Sequence, residues 1–387
     1  MKNEQSYLCF GGIDWWYHSR AHIDPQITRR FALRGKTLYV NSIVMTKFKT
    51  GEKKTFWKKV SRKLKSIFTG LKKTEEGFWV YSPFTMPVHH IKWAKMLNDF
   101  CLYTQIKLVT FILGIKNPVI LVANPAAVDV AMKLKKKAIA YQRTDRFEEA
   151  AGVDVEVIGR CDQRLKKESD LTIFVNTKLY EEEHKECKKS LFLDHGVDYD
   201  FFSNAEKDEY VPADIADIER PVVGYFGAIF AHSVDIELME EVAKLLPEIS
   251  FVFVGTLYEE YGSLFDLKNV HSLGQKDYAQ IPHYGKCFDV CILPWAKNRW
   301  TEASNPIKIK EYLALGKPVV STPYFSEVDR FREVMYLAST AAEFAECIEI
   351  ALSENNSDRI VHRRNFVKTS SWDSKAQLLL DSLLDKD

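Results

Sequence analysis

Lys308 and Glu311 stand three residues apart in Asn305-Pro306-Ile307-Lys308-Ile309-Lys310-Glu311, which puts an ammonium and a carboxylate on one face of a helix. Asn305 suits an N-cap, Pro306 the first helical position, and Gly316 with Pro318 ends the helix after about ten residues. The start of such a helix offers unbonded N–H groups and a partial positive charge, both of which attract a diphosphate. Lysine would meet phosphate oxygens, and the glutamate one turn deeper would accept from ribose hydroxyls. Arg299 and Ser304, just ahead, are further candidates for the same ligand. The other reading is a solvated Lys/Glu pair on an ordinary helix.

Two carboxylates have the surroundings of a general base. Asp145 lies in Tyr141-Gln142-Arg143-Thr144-Asp145, just past a predicted strand, at the edge where open parallel sheets bind ligands. Pairing with Arg143 or Arg146 is the alternative. Asp14 lies in Gly11-Gly12-Ile13-Asp14-Trp15-Trp16, a glycine loop that is not GxGxxG and so gives no support to dinucleotide binding. Gly11 and Gly12 would let backbone approach a ligand closely, or would simply make a tight turn. His18, Arg20 and His22 follow as candidate cleft residues.

The elements that must position these groups alternate between strand and helix. Apolar runs at 7–10, 37–40, 78–81, 119–122, 138–141 and 171–175 predict strands, with a helix over 25–34 stopped by Gly35. Residues 199–220 lose periodicity and gain charge, as a linker does. The pattern restarts at 221–227 and continues at 250–254, 290–293 and 319–321. Two mostly parallel α/β domains are the expectation: 1–205, a linker at 206–220, and 221–364. A last helix, 365–387 with Trp372 near its start, would pack back on the first domain.

With these motifs in order, the chain resembles the family-four-like group of GT-B glycosyltransferases. Asn305 to Val320 is similar to that group's donor-site signature, His195-Gly196-Val197-Asp198 to its domain-closing turn, Val223 to Ile229 with Asp235 to its glycine loop (placing Gly227 at the donor), and Asp289 to Pro294 to the strand before the signature. The likeness is specific over about residues 190–330 and present in order before that. It implies two Rossmann-like domains facing a central cleft, a nucleotide-sugar donor, UDP by default, and no metal or other cofactor, although Asp198-Tyr199-Asp200 spells the D-x-D string of metal-dependent transferases. One departure is the first of two glutamates spaced eight apart. It falls on Ala303, with Glu302 one residue off. Bacterial polysaccharide enzymes of the teichuronic-acid and xanthan glucuronosyltransferase type are more similar there. An Asp145 base implies inversion, whereas the family-four likeness implies retention. An epimerase or phosphorylase, or an inactive donor-binding partner, are the competing readings.

Charge is uneven although the 387 residues sum to +1. From Lys47 to Lys73 the only acid is Glu52, while Lys53, Lys54, Lys58, Lys59, Arg62 and Lys63 alternate with Phe56 and Trp57. That composition suits an anionic membrane surface and points to a lipid-linked saccharide acceptor on the cytoplasmic face, with no role for nucleic acid; a solvated loop is the alternative. The seven cysteines form no CxxC pair, although Cys287 and Cys291 would share a face on a helix, and the first residues lack a signal peptide's apolar core.

Overall fold

The computed structural model describes residues 5–17, 22–43, 61, 65–85, 92–149, 153–258, 263–302, 304–354 and 357–385. The chain divides into two compact units. Met1–Asp194 and Lys375–Asp387 form the first, and His195–Ser374 form the second.

The first unit is built on eight strands: Ser6–Phe10 (β1), Lys36–Val40 (β2), Leu71–Lys73 (β3), Trp79–Tyr81 (β4), Val119–Val122 (β5), Ala138–Arg143 (β6), Leu171–Phe174 (β7) and Ser190–Phe192 (β8). Their order is β3-β4-β2-β1-β5-β6-β7-β8, and every pair is parallel except β3 with β4. The central strands are buried at every position, because helices such as Ile23–Ala32 and Val155–Glu168 cover a parallel sheet and leave no polar face. The order reverses between β1 and β5, so a crevice opens past their carboxyl ends, at Gly11 and Ala123.

The second unit carries Val222–Phe226 (β9), Ser250–Val254 (β10), Val270–Gly274 (β11), Val290–Leu293 (β12), Val319–Ser321 (β13) and Tyr336–Leu337 (β14), all parallel, in the order β11-β10-β9-β12-β13-β14. Its reversal lies between β9 and β12, which places Gly227 and Pro294 at the corresponding crevice.

Several expectations are corrected. Residues 199–216, read as linker, fold into short helices of the second unit, because Phe202, Ala205 and Ile215 are buried in its core. The expected single C-terminal helix is two, Ser357–Lys368 and Trp372–Leu384. The break comes from backbone pairing, as Val197 N–H donates to Ser370 O (2.9 Å) and the Trp372 ring fills the space beside Gly196. Lys375–Asp387 count with the first unit, tied there by Lys375 to Asp194 and by Arg34 to Gln377. Cys287 ends a helix while Cys291 lies in β12, so they share no helical face.

Candidate functional site

At the carboxyl end of β9 the chain turns through Gly227 with φ +137°, a conformation that costs any side chain strain. Space is equally tight. A Cβ on Gly227 would lie 2.1 Å from Lys308 Cε, and one on Gly255 would lie 1.8 Å from Gly227 O. The two glycines thus bring the ends of β9 and β10 together and lay the Lys308 stem along the turn. The Lys308 ammonium then sits 5.5 Å from the centre of the Tyr225 ring, within cation–π range.

Lys308 belongs to the helix Ile307–Leu315. This helix starts one residue later than expected. Pro306 has ψ 108° and is the N-cap rather than the first helical residue, and its own side chain gives no cap to the N–H groups that follow. Gly316, left-handed at φ +81°, closes the other end. Ser304 donates its hydroxyl to Trp300 O (2.7 Å), Asn305 is half-buried, and Arg299 is exposed. Ala303 lies outside the described residues and Glu302 is exposed.

The two lysines of the segment have different fates. Lys310 is buried and spent on the carbonyl of His195. Lys308 has no ion pair among the described residues. Glu311, buried one turn on, accepts from Tyr278 Oη at 3.4 Å. Burial pushes its carboxyl up to about 7, against the pull of Lys308 and Tyr278 and with some help from Asp198. The result is an ammonium with no ion pair among the described residues, a helix start whose N-cap is a proline, and a buried carboxyl near its midpoint at neutral pH. Such a cluster can bind a polyanion at one end and hydroxyl groups at the other. Tyr278 and Asp198 were not anticipated as members of this cluster. They lie 33 and 113 residues from Glu311, and no spacing rule links them to it.

The first unit's crevice is organised differently. A Cβ on Gly11 would fall 2.0 Å from Tyr39 Oη, so that glycine is explained by its own neighbour. Gly12 N–H donates to Asp24 Oδ2 (2.9 Å), and Tyr39 Oη donates to the same oxygen (2.7 Å). Asp24, missed in the sequence, is fully buried, and burial raises its carboxyl above the ordinary range despite Tyr39 and His22. Asp14 is buried too. Ser66 Oγ (2.7 Å) and Trp16 N–H (3.1 Å) donate to it, so it holds the loop rather than standing open. His18 and Arg20 lie outside the described residues.

Asp145 follows β6 on an exposed turn. No described residue pairs with its carboxylate, because the two arginines are engaged elsewhere. Arg143, wholly buried, binds Glu148 through both terminal nitrogens (2.8 and 2.9 Å) and Glu183 (3.0 Å), and Arg146 binds Glu182 and Glu183. Crowding by surrounding protein raises the Asp145 pKa above its ordinary value, more than His22 and Arg143 lower it. The candidate membrane-surface residues Lys53, Lys54, Trp57, Lys58, Lys59, Arg62 and Lys63 lie outside the described residues. No helix among the described residues is long and apolar enough to cross a membrane. Nor do any three or more His, Cys, Asp or Glu among them converge as metal ligands would.

Two Rossmann-like units with this strand order define the GT-B fold. Residues 220–354 match the family model described as "Glycosyl transferases group 1", so that domain lies within the second unit. The teichuronic acid biosynthesis glycosyltransferase TuaH of Bacillus subtilis (strain 168), a name given to that protein provisionally, is 29% identical over 205 residues, which is 49% of this chain. The match takes in 51% of that protein, so the chain spans about half the length of the curated relative. Sucrose-phosphate synthase from Thermosynechococcus elongatus superposes with a TM-score of 0.66 at 14% identity, over 97% of both chains. Anabaena HepE, in complex with UDP and glucose, gives 0.66 at 14% over 98% of both. At such identity these two likenesses establish the fold.

Proposed function

We propose that the protein is a glycosyltransferase that moves a sugar from a nucleotide-diphosphate donor, a UDP-sugar, to a lipid-linked saccharide in cell-surface polysaccharide synthesis. One observation carries this reading: Lys308, with no ion pair among the described residues, in the first turn of a helix with Glu311 one turn deeper, inside the segment that matches the group 1 family. The UDP bound by HepE and the teichuronic-acid assignment of TuaH support the donor and the product class.

In this reading the diphosphate lies against the Gly227 turn, Lys308 and the helix start, and Glu311 accepts from the ribose hydroxyls. The acceptor oxygen attacks the anomeric carbon as the bond to the diphosphate oxygen breaks. Lys308 and the helix dipole stabilise the charge that develops on the departing diphosphate. Asp145 takes the acceptor proton. No metal or cofactor enters the scheme. The basic segment at 47–73 holds the enzyme on the anionic cytoplasmic face of the membrane, where the acceptor is anchored.

Titration calorimetry with UDP tests the donor site. Lys308→Ala should weaken binding about ten- to a hundredfold, the worth of a charge-assisted contact to phosphate. An unchanged dissociation constant would overturn the assignment. Radiolabel transfer from UDP-sugars to a lipid extract then tests the reaction, and a protein that binds UDP but never transfers would be a binding partner instead.

A further inference from the structure

The helix Lys92–Ile112 is apolar on two opposite faces. Ala94, Leu102, Ile106 and Val109 point inward and are buried in the first unit. Trp93, Met96, Phe100, Leu108 and Phe111 point outward and are between 58% and 83% exposed, with Leu97 and Ile112 beside them. Spacings of three, four and eight keep them on one stripe, about 27 Å long at the helical rise. Five bulky side chains in line on one helix are far more than the scattered apolar residues of an ordinary surface.

On the helix itself the exposed charge among the described residues is positive. The helix contains a single acid, Asp99, which is buried and paired with Lys95 (2.6 Å). Lys107 and Lys116 are exposed on and just after the helix. Neighbouring segments add more. Phe84, 54% exposed, is held to Gln105 through both its N–H and its carbonyl (3.0 Å each). Two residues before it, Ser82 bonds Ser66 (3.0 Å), next to exposed Lys65. Tyr81 Oη bonds Gln105 (2.8 Å), and Tyr81 pairs with Leu71, next to exposed Lys72 and Lys73.

We infer that this face seats the protein in the interfacial layer of an anionic bilayer, with the stripe among the upper acyl chains and the flanking lysines at the phosphates. The inference rests on the membrane reading above and names a different element from the basic segment. An apolar line with exposed lysines at its edge complements an anionic lipid surface. A second copy docked face to face would bring the same lysines against one another. The helix lies on the membrane rather than across it, since it is too polar to span.

The test is flotation of the full-length chain with vesicles of phosphatidylcholine, with and without phosphatidylglycerol. Wild type should float on the anionic vesicles. A Trp93→Ser/Phe100→Ser/Phe111→Ser variant should lose at least about tenfold in partition while keeping its melting temperature, because those side chains are exposed. Thr104→Glu, an exposed substitution that puts a carboxylate into the stripe without removing packing, serves if the triple variant does not fold, and should also reduce flotation. If wild type floats and both variants float equally well, this inference fails and the membrane reading survives. If wild type floats on no vesicle, the membrane reading itself fails. A dimer in light scattering that the triple variant converts to monomer, with flotation unaffected, would assign the stripe to a second copy and overturn the proposal.

Discussion

The two units place a glycine turn at the same position, just past their first strand, and use it in opposite ways. In the first unit the turn is filled from within. The Tyr39 ring occupies the space beside Gly11, and Asp24 takes the Gly12 N–H. In the second unit the Gly227 turn guides a lysine stem, and the ammonium at its end meets no carboxylate in an ion pair among the described residues. One turn is closed by side chains bonded to each other, and the other is lined by a lysine with no ion pair among the described residues. A glycine after a strand is therefore evidence of close approach, and the partner of that approach decides whether it serves fold or function.

Breaking the Gly227 turn should have the largest effect. Gly227→Ala combines backbone strain with a clash on Lys308, about 2–6 kcal/mol together, and should reduce UDP affinity more than a hundredfold by calorimetry. Glu311→Gln comes next. A carboxyl raised in the folded state from 4.5 to about 7 favours the fold at low pH, and that stability is lost as pH rises from 4.5 through 7. Above pH 8 the wild type carries the full penalty of about 3 kcal/mol. The glutamine variant should be more stable by up to that amount in urea melts, with no gain below pH 4, while binding UDP more weakly.

The closed turn should respond in stability alone. Gly11→Ala forces Tyr39 aside and should cost about 1–3 kcal/mol in denaturant unfolding, with UDP affinity unchanged. A matching loss of UDP affinity would erase the contrast between the turns. Asp24→Asn keeps the shape but weakens two hydrogen bonds, and about 1 kcal/mol is expected in the same assay. The subtlest effect is a displacement. Asp145 must be ionised to accept a proton, so transfer should fall as pH drops through its raised pKa, with an acid limb above the ordinary aspartate range. Asp145→Asn should remove that limb along with most of the rate.

The sequence was most legible where burial is complete. Central strands such as Val119–Val122 and Val290–Leu293 are uninterrupted apolar runs, because both faces of a parallel sheet are covered. The four strands that went unread, β3, β8, β11 and β14, are the edges of the two sheets. An edge strand has one neighbour and tolerates polar residues, so Leu71-Lys72-Lys73 carries no strand signal. Within the site, Lys308 and Glu311 were visible because one helix holds both. Tyr278 and Asp198 come from other elements of the second unit, as Asp24 does beside the Gly12 loop of the first, and only the fold brings them in. The helix start moved by one residue because Pro306 lies extended, which sequence preference at the first helical position does not foresee.

The Glu311 carboxyl has a consequence for heat. Near pH 7 the free protein is a mixture of protonated and ionised molecules at this one position. A ligand whose hydroxyl groups prefer the ionised form expels a fraction of a proton as it binds, while a nearby diphosphate draws one in. Either way the solvent buffer must take up or supply the difference. Apparent binding enthalpies in phosphate and in Tris should therefore disagree by the number of protons exchanged, multiplied by the difference in buffer ionisation heat.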